Sequence, residues 1–496
     1  MFRKKLVVRA LYLGCTLAVG TAVVPGTAYA QQTAGSISGT AAAGDKVMIE
    51  NKAIGITREV TVGAGGSWQF SQIPAGSYTV TLTRANGQKE TRLLQVAPGE
   101  GAFATFGATL AAVEVSGVAT RTIDVSSPTP SFSISAETID RTPVAQNVTA
   151  VTLLAPTALQ GDGRLGDNGA RAGNLPSLGG ASVAENAYYI NGFNVTNIVK
   201  GVAFNEVPFQ GIGNLQVLTG GYGAEYGRSL GGVVSVTTKR GTDEWKGGVS
   251  LSWVPDALRG SSIYYAPGAT PGTWIPVNRP GKTDLTEVNL YAGGPLIKDT
   301  LYGFALIRGV NEKISTYGEN QHNFNRTKTP EYLVKLDWNI TKDHLLEFTT
   351  FSDKSKETVG NYLAVQPYTT ELGQSLGTDT YNTGGENHIL KWTGYLTDNF
   401  TLSALAGVGR YSRSNDIFSA GCPVVIEART SPTQRLGCWT GSGIVDDPNA
   451  RDKRTAYRLD AEWVLGKHTL RFGLDNEIYD TVDGGQYNGG IFYRLA

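Results

Sequence analysis

From Trp245 onward, apolar and polar side chains alternate along the chain with a period of two residues. The clearest segments are Glu331–Asn339, Tyr457–Trp463 and Leu470–Glu477. Segments of about ten residues with this alternation are typical of strands that have lipid on one side and water on the other. Strands of a soluble β-sandwich alternate as well, so the alternation alone does not separate the two. In the first segment the apolar face is formed by Tyr332, Val334, Leu336 and Trp338, and the polar face by Glu331, Lys335, Asp337 and Asn339.

The connections between these strands differ in length in a regular way. Short turns at one end and long loops at the other are typical of outer-membrane β-barrels. The pattern therefore predicts about nine barrel strands in residues 245–496, with Ile491–Tyr493 starting a tenth. Very short turns are predicted at Leu296–Thr300, Asn339–Asp343, Leu396–Asn399 and Leu465–Lys467, and long polar connections at Pro255–Asp284, Asn311–Thr329, Asp353–Glu386 and Arg413–Arg454.

Residues 34–110 contain short strand-like segments separated by turns rich in Gly or Pro, which predicts a small β domain. Within it, Gly65–Thr83 contains the turn Pro74-Ala75-Gly76-Ser77-Tyr78 and resembles carboxypeptidase regulatory-like β-sandwiches. That resemblance implies a fold related to carbohydrate-binding modules. The aromatic residues Trp68 and Tyr78 fit either a sugar-binding surface or the core of the sandwich.

Residues 1–30 have the three parts of a secretory signal peptide: a basic start, the apolar stretch Ala10–Val24, and the cleavage site Ala28-Tyr29-Ala30. Export is therefore expected. No apolar run of about 18 residues follows, so the sequence predicts no transmembrane helix. The 43 Lys and Arg residues balance the 43 Asp and Glu residues, which argues against a nucleic-acid partner.

Two glycine-containing segments carry the strongest resemblance in the chain. Gly220–Thr242, with the sequence GGYGAEYGRSLGGVVSVTTKRGT, and Glu185–Val195, with the sequence ENAYYINGFNV, resemble the end of the plug domain of TonB-dependent outer-membrane receptors of the Oar-like branch. The resemblance implies an α+β plug domain at residues 131–240, followed by part of a transmembrane antiparallel β-barrel at 245–496. Plugged transporters of this kind have about 22 strands. We therefore expect a mainly β chain in the outer membrane of a Gram-negative bacterium, incomplete at its C-terminal end.

The same resemblance implies a site for TonB, the periplasmic protein that energises such receptors through an inner-membrane motor complex. Residues 112–130 form a linker in which Val113, Glu114, Val115, Ser116, Gly117 and Val118 alternate like an unpaired strand. An unpaired extended segment can add to the sheet edge of a partner, and TonB contacts its receptors in this way just before the plug. A strand that closes the preceding sandwich is the alternative reading of this segment.

Glu225 and Arg228 match charged plug positions of the family. By resemblance, they are expected to pair with charges on the barrel wall and to hold the plug until it is pulled. The alternative is that they merely solvate the surface of the plug in a wet lumen.

Cys422 and Cys438 are the two thiols that remain after signal-peptide removal, and both lie in the connection Arg413–Arg454. In an oxidising compartment they are predicted to form a disulfide, whereas two free thiols are the alternative. The four histidines are scattered and show no metal-binding spacing, and we predict no catalytic site, metal or cofactor.

The expected function is energised uptake of a solute through a plugged β-barrel in contact with outer-membrane lipid. The solute is not identified by the sequence; an oligosaccharide, a peptide and a chelate all fit. The alternative is an Oar-type structural or adhesive outer-membrane protein that displays its loops and transports nothing.

Overall fold

The computed structural model describes residues 34–106, 131–162, 175–199, 201–260, 263–267, 273–278, 281–318, 321–365, 369–429, 434–440, 443–466 and 468–496. The predicted signal peptide and the predicted TonB-contact segment, Val113–Val118, lie outside these ranges. None of the helices in the described ranges has the length and hydropathy that a membrane crossing needs. The described ranges contain six short 3-10 helices, at Lys52–Ile54, Val183–Glu185, Phe209–Gly211, Ala224–Tyr226, Asp256–Leu258 and Asn488–Gly490.

Residues 34–106, called the sandwich below, fold into two small sheets. One sheet has the order β4-β1-β7 and the other β3-β2-β5-β6. The inward faces meet in a core that includes Trp68 and Tyr78, so both aromatic residues serve the core of the sandwich. The strands are β1 (Ala34–Thr40), β2 (Lys46–Asn51), β3 (Ile56–Thr61), β4 (Ser67–Pro74), β5 (Gly76–Thr83), β6 (Lys89–Val96) and β7 (Gly101–Ala104).

The plug contains a five-stranded sheet with two short helices beside it. Asn147 caps the second helix by accepting a hydrogen bond from the Ala150 amide at 2.7 Å. The elements are β8 (Ser131–Ser135), α1 (Ala136–Arg141), α2 (Val148–Thr152), β9 (Ala158–Gln160), β10 (Pro176–Leu178), β11 (Ala187–Ile190), β12 (Phe193–Asn194), β13 (Ile212–Leu218) and β14 (Val233–Thr238). The sheet order is β12-β11-β14-β13-β8, which places β8 at an edge.

The rest of the chain builds a curved antiparallel sheet, called the wall below. Its strands and those of its loops are β15 (Lys246–Val254), β16 (Ile263–Pro267), β17 (Trp274–Asn278), β18 (Lys282–Ile297), β19 (Leu301–Tyr317), β20 (Gln321–Thr341), β21 (His344–Ser352), β22 (Ser355–Ala364), β23 (Leu372–Gly384), β24 (Glu386–Thr397), β25 (Phe400–Asp416), β26 (Val424–Glu427), β27 (Gln434–Leu436), β28 (Ile444–Asp446), β29 (Arg451–Leu465), β30 (His468–Val482), β31 (Gly485–Tyr487) and β32 (Phe492–Leu495).

Eleven of these strands share one sheet, and they occupy nine positions across it. Two of the positions are each occupied by two strands, one above the other: β21 and β22 both pair with β20, and β24 and β23 both pair with β25. The described part of the chain thus contains the predicted nine wall strands. The predicted mainly β fold class is confirmed by this topology.

Three predictions about the wall need correction. The connections predicted at Asn311–Thr329 and Asp353–Glu386 are largely strand, because β19, β20, β22 and β23 extend far above the short-turn end. Side chains on both faces of these extensions are polar, so the two-residue alternation disappears from the sequence there. The predicted tenth wall strand at Ile491–Tyr493 is also wrong, since Phe492–Leu495 pairs in parallel with Val424–Glu427 in a small loop sheet.

The apolar and polar faces predicted for Glu331–Asn339 lie on opposite sides of the wall. Leu333, Lys335 and Asp337 are buried toward the plug, whereas Trp338 on the opposite face is 45% exposed. Apolar side chains of the wall, Leu306 and Leu333 among them, join one continuous core with the plug. Plug and wall are therefore packed together, with charged side chains placed inside that contact.

Candidate functional site

The segment Gly220–Thr242 is the centre of the contact between plug and wall. Tyr226 is buried against Tyr189 and Tyr222, and the Tyr222 hydroxyl donates to the Gly231 carbonyl at 2.8 Å. These contacts fix the turn that carries Arg228 before the chain enters β14. Two residues after β14 ends, the chain reaches Arg240. One compact segment thus supplies two arginines to the wall.

Arg240 enters an ionic cluster on the inner face of the wall, called the Arg240 cluster below and formed by Arg240, Asp337, Glu347, Lys335 and Lys391. The Arg240 guanidinium lies 2.5 Å from Glu347 and 3.3 Å from Asp337, and Lys335 Nζ lies 3.1 Å from Glu347. Burial lowers the pKa of Arg240, but the two carboxylates more than reverse this, so the pKa is raised overall. The arginine is therefore held in its charged form.

The register of the wall explains how this cluster offers a site for a cation from the plug. Asp337 on β20 lies directly opposite Glu347 on β21, and Glu347 lies opposite Lys391 on β24. Two facing carboxylates repel one another, and the repulsion is strong where water is excluded. Arg240 bridges the two acids from the plug side. Withdrawing the plug removes that bridge.

A second contact between plug and wall lies at the break between β21 and β22, which both pair with β20. Asp353 follows β21, and its carboxylate accepts hydrogen bonds from the Asn205 side chain at 3.0 Å, the Glu206 amide at 2.9 Å and the Gly385 amide at 2.7 Å. The first two donors belong to the plug and the third to the wall. The break in the strand therefore provides a carboxylate that joins plug to wall.

Arg228 makes the third contact, with β30. Its guanidinium lies 2.6 Å from Glu477 and also donates to the Tyr479 hydroxyl. Glu477 pairs as well with Arg454, at 3.0 Å, and Arg454 donates to the Asn194 carbonyl of the plug at 2.6 Å. The Arg228 side chain is 36% exposed, so solvent screens this pair more than the Arg240 cluster.

Glu225 lies beside the same part of the wall, near Arg458 and Arg471, and makes no ion pair within the described part of the chain. One of its carboxylate oxygens is buried and has no hydrogen-bond partner among the described residues. Burial raises the pKa of Glu225, although Arg471 and Arg458 act in the opposite direction. Its charged form is thus disfavoured in the seated plug.

An apolar fit accompanies the charged contacts. Phe193 of the plug is buried against β25, where a Cβ on Gly407 would come within 2.5 Å of its ring and a Cβ on Gly409 within 3.0 Å. Any larger residue at either position would push the ring away from the wall. The position of the plug in the wall is therefore fixed by shape as well as by charge.

The structure brings Glu225 and Arg228 to the wall and joins Cys422 to Cys438 in a disulfide with a Cα separation of 5.9 Å. That disulfide lies in the loop region, away from the plug contacts.

Sequence reasoning missed Arg240 and Asp353. A signal for Arg240 existed, because Lys335 and Asp337 were predicted on the inner face of the wall and such charges need partners. Asp353 had no such signal, since it falls in a segment predicted as a loop.

Comparisons with known proteins agree with this architecture. Residues 124–233 match the family model of the TonB-dependent receptor plug domain, and residues 304–493 match that of an outer membrane beta barrel domain. The chain is 23% identical over 541 residues to the TonB-dependent transporter Oar of Myxococcus xanthus, covering 88% of this chain and 48% of that protein.

Among solved structures, the outer membrane transporter YddB from Escherichia coli is similar with a TM-score of 0.51 at 16% identity. The match covers 71% of this chain and 48% of the transporter. The chain thus spans about half the length of the relatives it matches. The likeness to YddB concerns the fold alone.

Proposed function

We propose that this chain, which is an Oar-like TonB-dependent receptor of the outer membrane, imports a solute when TonB pulls on its plug. The observation that carries the proposal is the kind of contact between plug and wall. Three separate polar contacts, around Arg240, Asp353 and Arg228, hold a domain that also packs by apolar surface. Such a plug is stable at rest, and its ionic contacts can be replaced by water once it moves.

The plug sheet offers a path for the pull. The proposed TonB-contact segment, Val113–Val118, precedes β8, which is the edge strand of the sheet. β8 pairs with β13, β13 pairs with β14, and β14 leads to Arg240. Force on the chain ahead of Ser131 therefore loads β8 first and reaches the Arg240 cluster through two further strands.

TonB is proposed to bind by strand addition to Val113–Val118, which requires little of the side chains. The test places cysteine at Val115 and measures cross-linking to a cysteine-bearing TonB in cells. We expect a cross-linked product that is lost when Glu114 and Ser116 are both changed to Pro, because proline prevents strand addition while the cysteine is kept, and that persists when Glu225 is changed to Gln. A product of equal yield after the proline substitutions would contradict the proposed contact.

Uptake is tested by deleting Val113–Val118. Labelled oligosaccharides, peptides and metal chelates are offered to cells that carry either the intact protein or the deletion variant. The proposal expects accumulation of at least one of these solutes with the intact protein and none with the deletion. If loop-dependent adhesion survives the deletion and no solute accumulates, the structural or adhesive alternative is favoured instead. The relative from Myxococcus xanthus is described as a transporter, which supports uptake.

A further inference from the structure

The sandwich rests on the short-turn end of the wall. The Asn339 side chain of the wall donates to the Ile54 carbonyl at 2.9 Å, and the Asp243 amide donates to the Ala53 carbonyl at 2.7 Å. These contacts involve the 3-10 helix Lys52–Ile54. Since Asp243 lies between plug and wall in the chain, the sandwich contacts the junction of the two.

A second part of the sandwich contacts the wall through Arg58 and Gln72. The Tyr395 hydroxyl donates to the Gln72 carbonyl at 2.8 Å, and the Gln72 side chain donates to Glu462 at 3.2 Å. The Arg58 guanidinium carbon lies 3.9 Å from the centre of the Tyr395 ring and 5.3 Å from that of Phe70. Arg58 is thus placed between an aromatic ring of the sandwich and one of the wall.

The backbone of the sandwich is shaped for this contact. Gly55 has φ of +66°, and a Cβ there would lie 2.6 Å from the Tyr302 hydroxyl of the wall. Gln72 has φ of +57°, which is uncommon for a residue with a side chain. Such a conformation persists only where surrounding contacts hold it, and here the contacts come from Tyr395 and Glu462.

The covered area adjoins the Arg240 cluster. Asn339, which donates to the sandwich, lies two residues after Asp337 on the same face of β20, and Asp243, which also donates to the sandwich, follows Arg240 by three residues. Ion pairs among Arg240, Asp337 and Glu347 gain strength from the absence of water. A domain that covers this side of the cluster therefore strengthens the attachment of the plug without touching the charged atoms.

We propose that the sandwich is a removable cover for the Arg240 cluster, and that its undocking admits water and loosens the plug. This regulatory contact goes beyond the proposed uptake. The small number of direct contacts suits a domain that docks and undocks, because a few hydrogen bonds and one stacked arginine are readily exchanged for water. The surface of the wall around Asn339 and Tyr395 is covered by the sandwich of the same chain, so no external partner is needed.

Docking is tested by disulfide cross-linking in the intact protein in outer membranes. Ala53→Cys and Asp243→Cys place thiols on two residues joined by a main-chain hydrogen bond, and the native Cys422–Cys438 pair is already bonded. We expect rapid oxidation of the engineered pair. The control pair Asn86→Cys with Asp243→Cys, whose first member lies on an exposed hairpin turn of the sandwich, is expected to stay reduced.

Two substitutions on opposite sides of the contact then weaken docking. Arg58→Ala removes the stacked cation, and Tyr395→Leu removes its wall partner without changing the sandwich, so a misfolded sandwich cannot explain both results. Each is expected to slow cross-linking by at least about five-fold. Arg92→Ala, a matched arginine whose contacts lie within the sandwich, is expected to leave the rate unchanged.

The link to the plug is measured by hydrogen–deuterium exchange of β14. Arg58→Ala is expected to speed exchange by about five-fold, in proportion to the loss of docking, and oxidation of the Ala53→Cys and Asp243→Cys pair should restore slow exchange. Equal cross-linking of interface and control pairs overturns docking. Unchanged β14 exchange in Arg58→Ala, or no restoration by the disulfide, overturns the role as a cover. Neither measurement depends on solute uptake, so the result is separate from the proposed function.

Discussion

Arg240 and Arg228 both join the plug to the wall through ion pairs, yet their surroundings differ. Arg240 reaches two carboxylates that face each other in register and has lysines nearby, all within a buried part of the contact. Arg228 reaches one carboxylate, which already has Arg454 as a second partner, and is partly exposed. The comparison teaches that the cost of losing an arginine depends on what it leaves behind. Removing Arg240 removes two buried ion pairs and leaves Asp337 and Glu347 sharing Lys335, whereas removing Arg228 removes one partly exposed pair and leaves Glu477 paired with Arg454.

The largest effect is expected from Arg240→Ala. It removes two buried ion pairs between plug and wall, although Lys335 still contacts both carboxylates, and it should lower the free energy of plug opening by about 3 kcal/mol. The measurement is hydrogen–deuterium exchange of β14 in the purified receptor. Adding Glu347→Gln to the variant should recover part of the loss, since one of the two facing charges is gone. Unchanged exchange in Arg240→Ala would show that the cluster does not hold the plug.

Asp353→Ala is expected to have an intermediate effect. It leaves the Asn205 side chain and the amides of Glu206 and Gly385 without their common acceptor, which should cost about 1–3 kcal/mol. Exchange of the Glu206 amide reports the change directly. Lys354→Ala is the matched control, because the neighbouring lysine pairs with Glu386 at an exposed position. Equal effects of the two variants would assign the loss to the strand break and not to the carboxylate.

Arg228→Ala should cost only about 0–1 kcal/mol of plug stability, because its pair is partly exposed. The loss should shrink further in high salt, since screening weakens exposed pairs first. The same exchange measurement, repeated at low and high ionic strength, distinguishes it from Arg240→Ala, whose buried pairs respond less. A loss as large as that of Arg240→Ala would remove the distinction between the two arginines.

The smallest effect, and the only favourable one, is expected from Glu225→Gln. The pKa of Glu225 is raised in the seated plug, so between its unfolded and folded pKa values the seated state binds more protons than the released state. Stability from this group is present at low pH and is lost as the pH rises through the folded pKa. Gln removes that dependence and should slow plug opening at neutral pH. An identical pH profile for Gln and Glu at this position would contradict the assignment.

Much of the architecture follows from local patterns in the sequence. The alternation in Glu331–Asn339 correctly separates the outward face from the plug face, and the short turns predicted at Leu296–Thr300 and Asn339–Asp343 each join two paired strands. The site is harder to predict, since it depends on which wall strands meet in register. Asp337 faces Glu347, and Arg240 lies between them, because three separate segments meet in the fold. No single segment encodes this arrangement. The extended strands β22 and β23 were missed because water on both faces removes the two-residue pattern.

The strands of the wall are longer than a membrane crossing needs. At 21 residues, β20 runs for about 70 Å along its length, although a tilted strand of about 9–11 residues crosses a bilayer. The upper half therefore stands clear of the lipid as a polar rim, which begins beside Asp353 and lies beyond the Arg240 cluster. Substitutions in this rim therefore leave the Arg240 cluster, and with it the deepest attachment of the plug, unchanged.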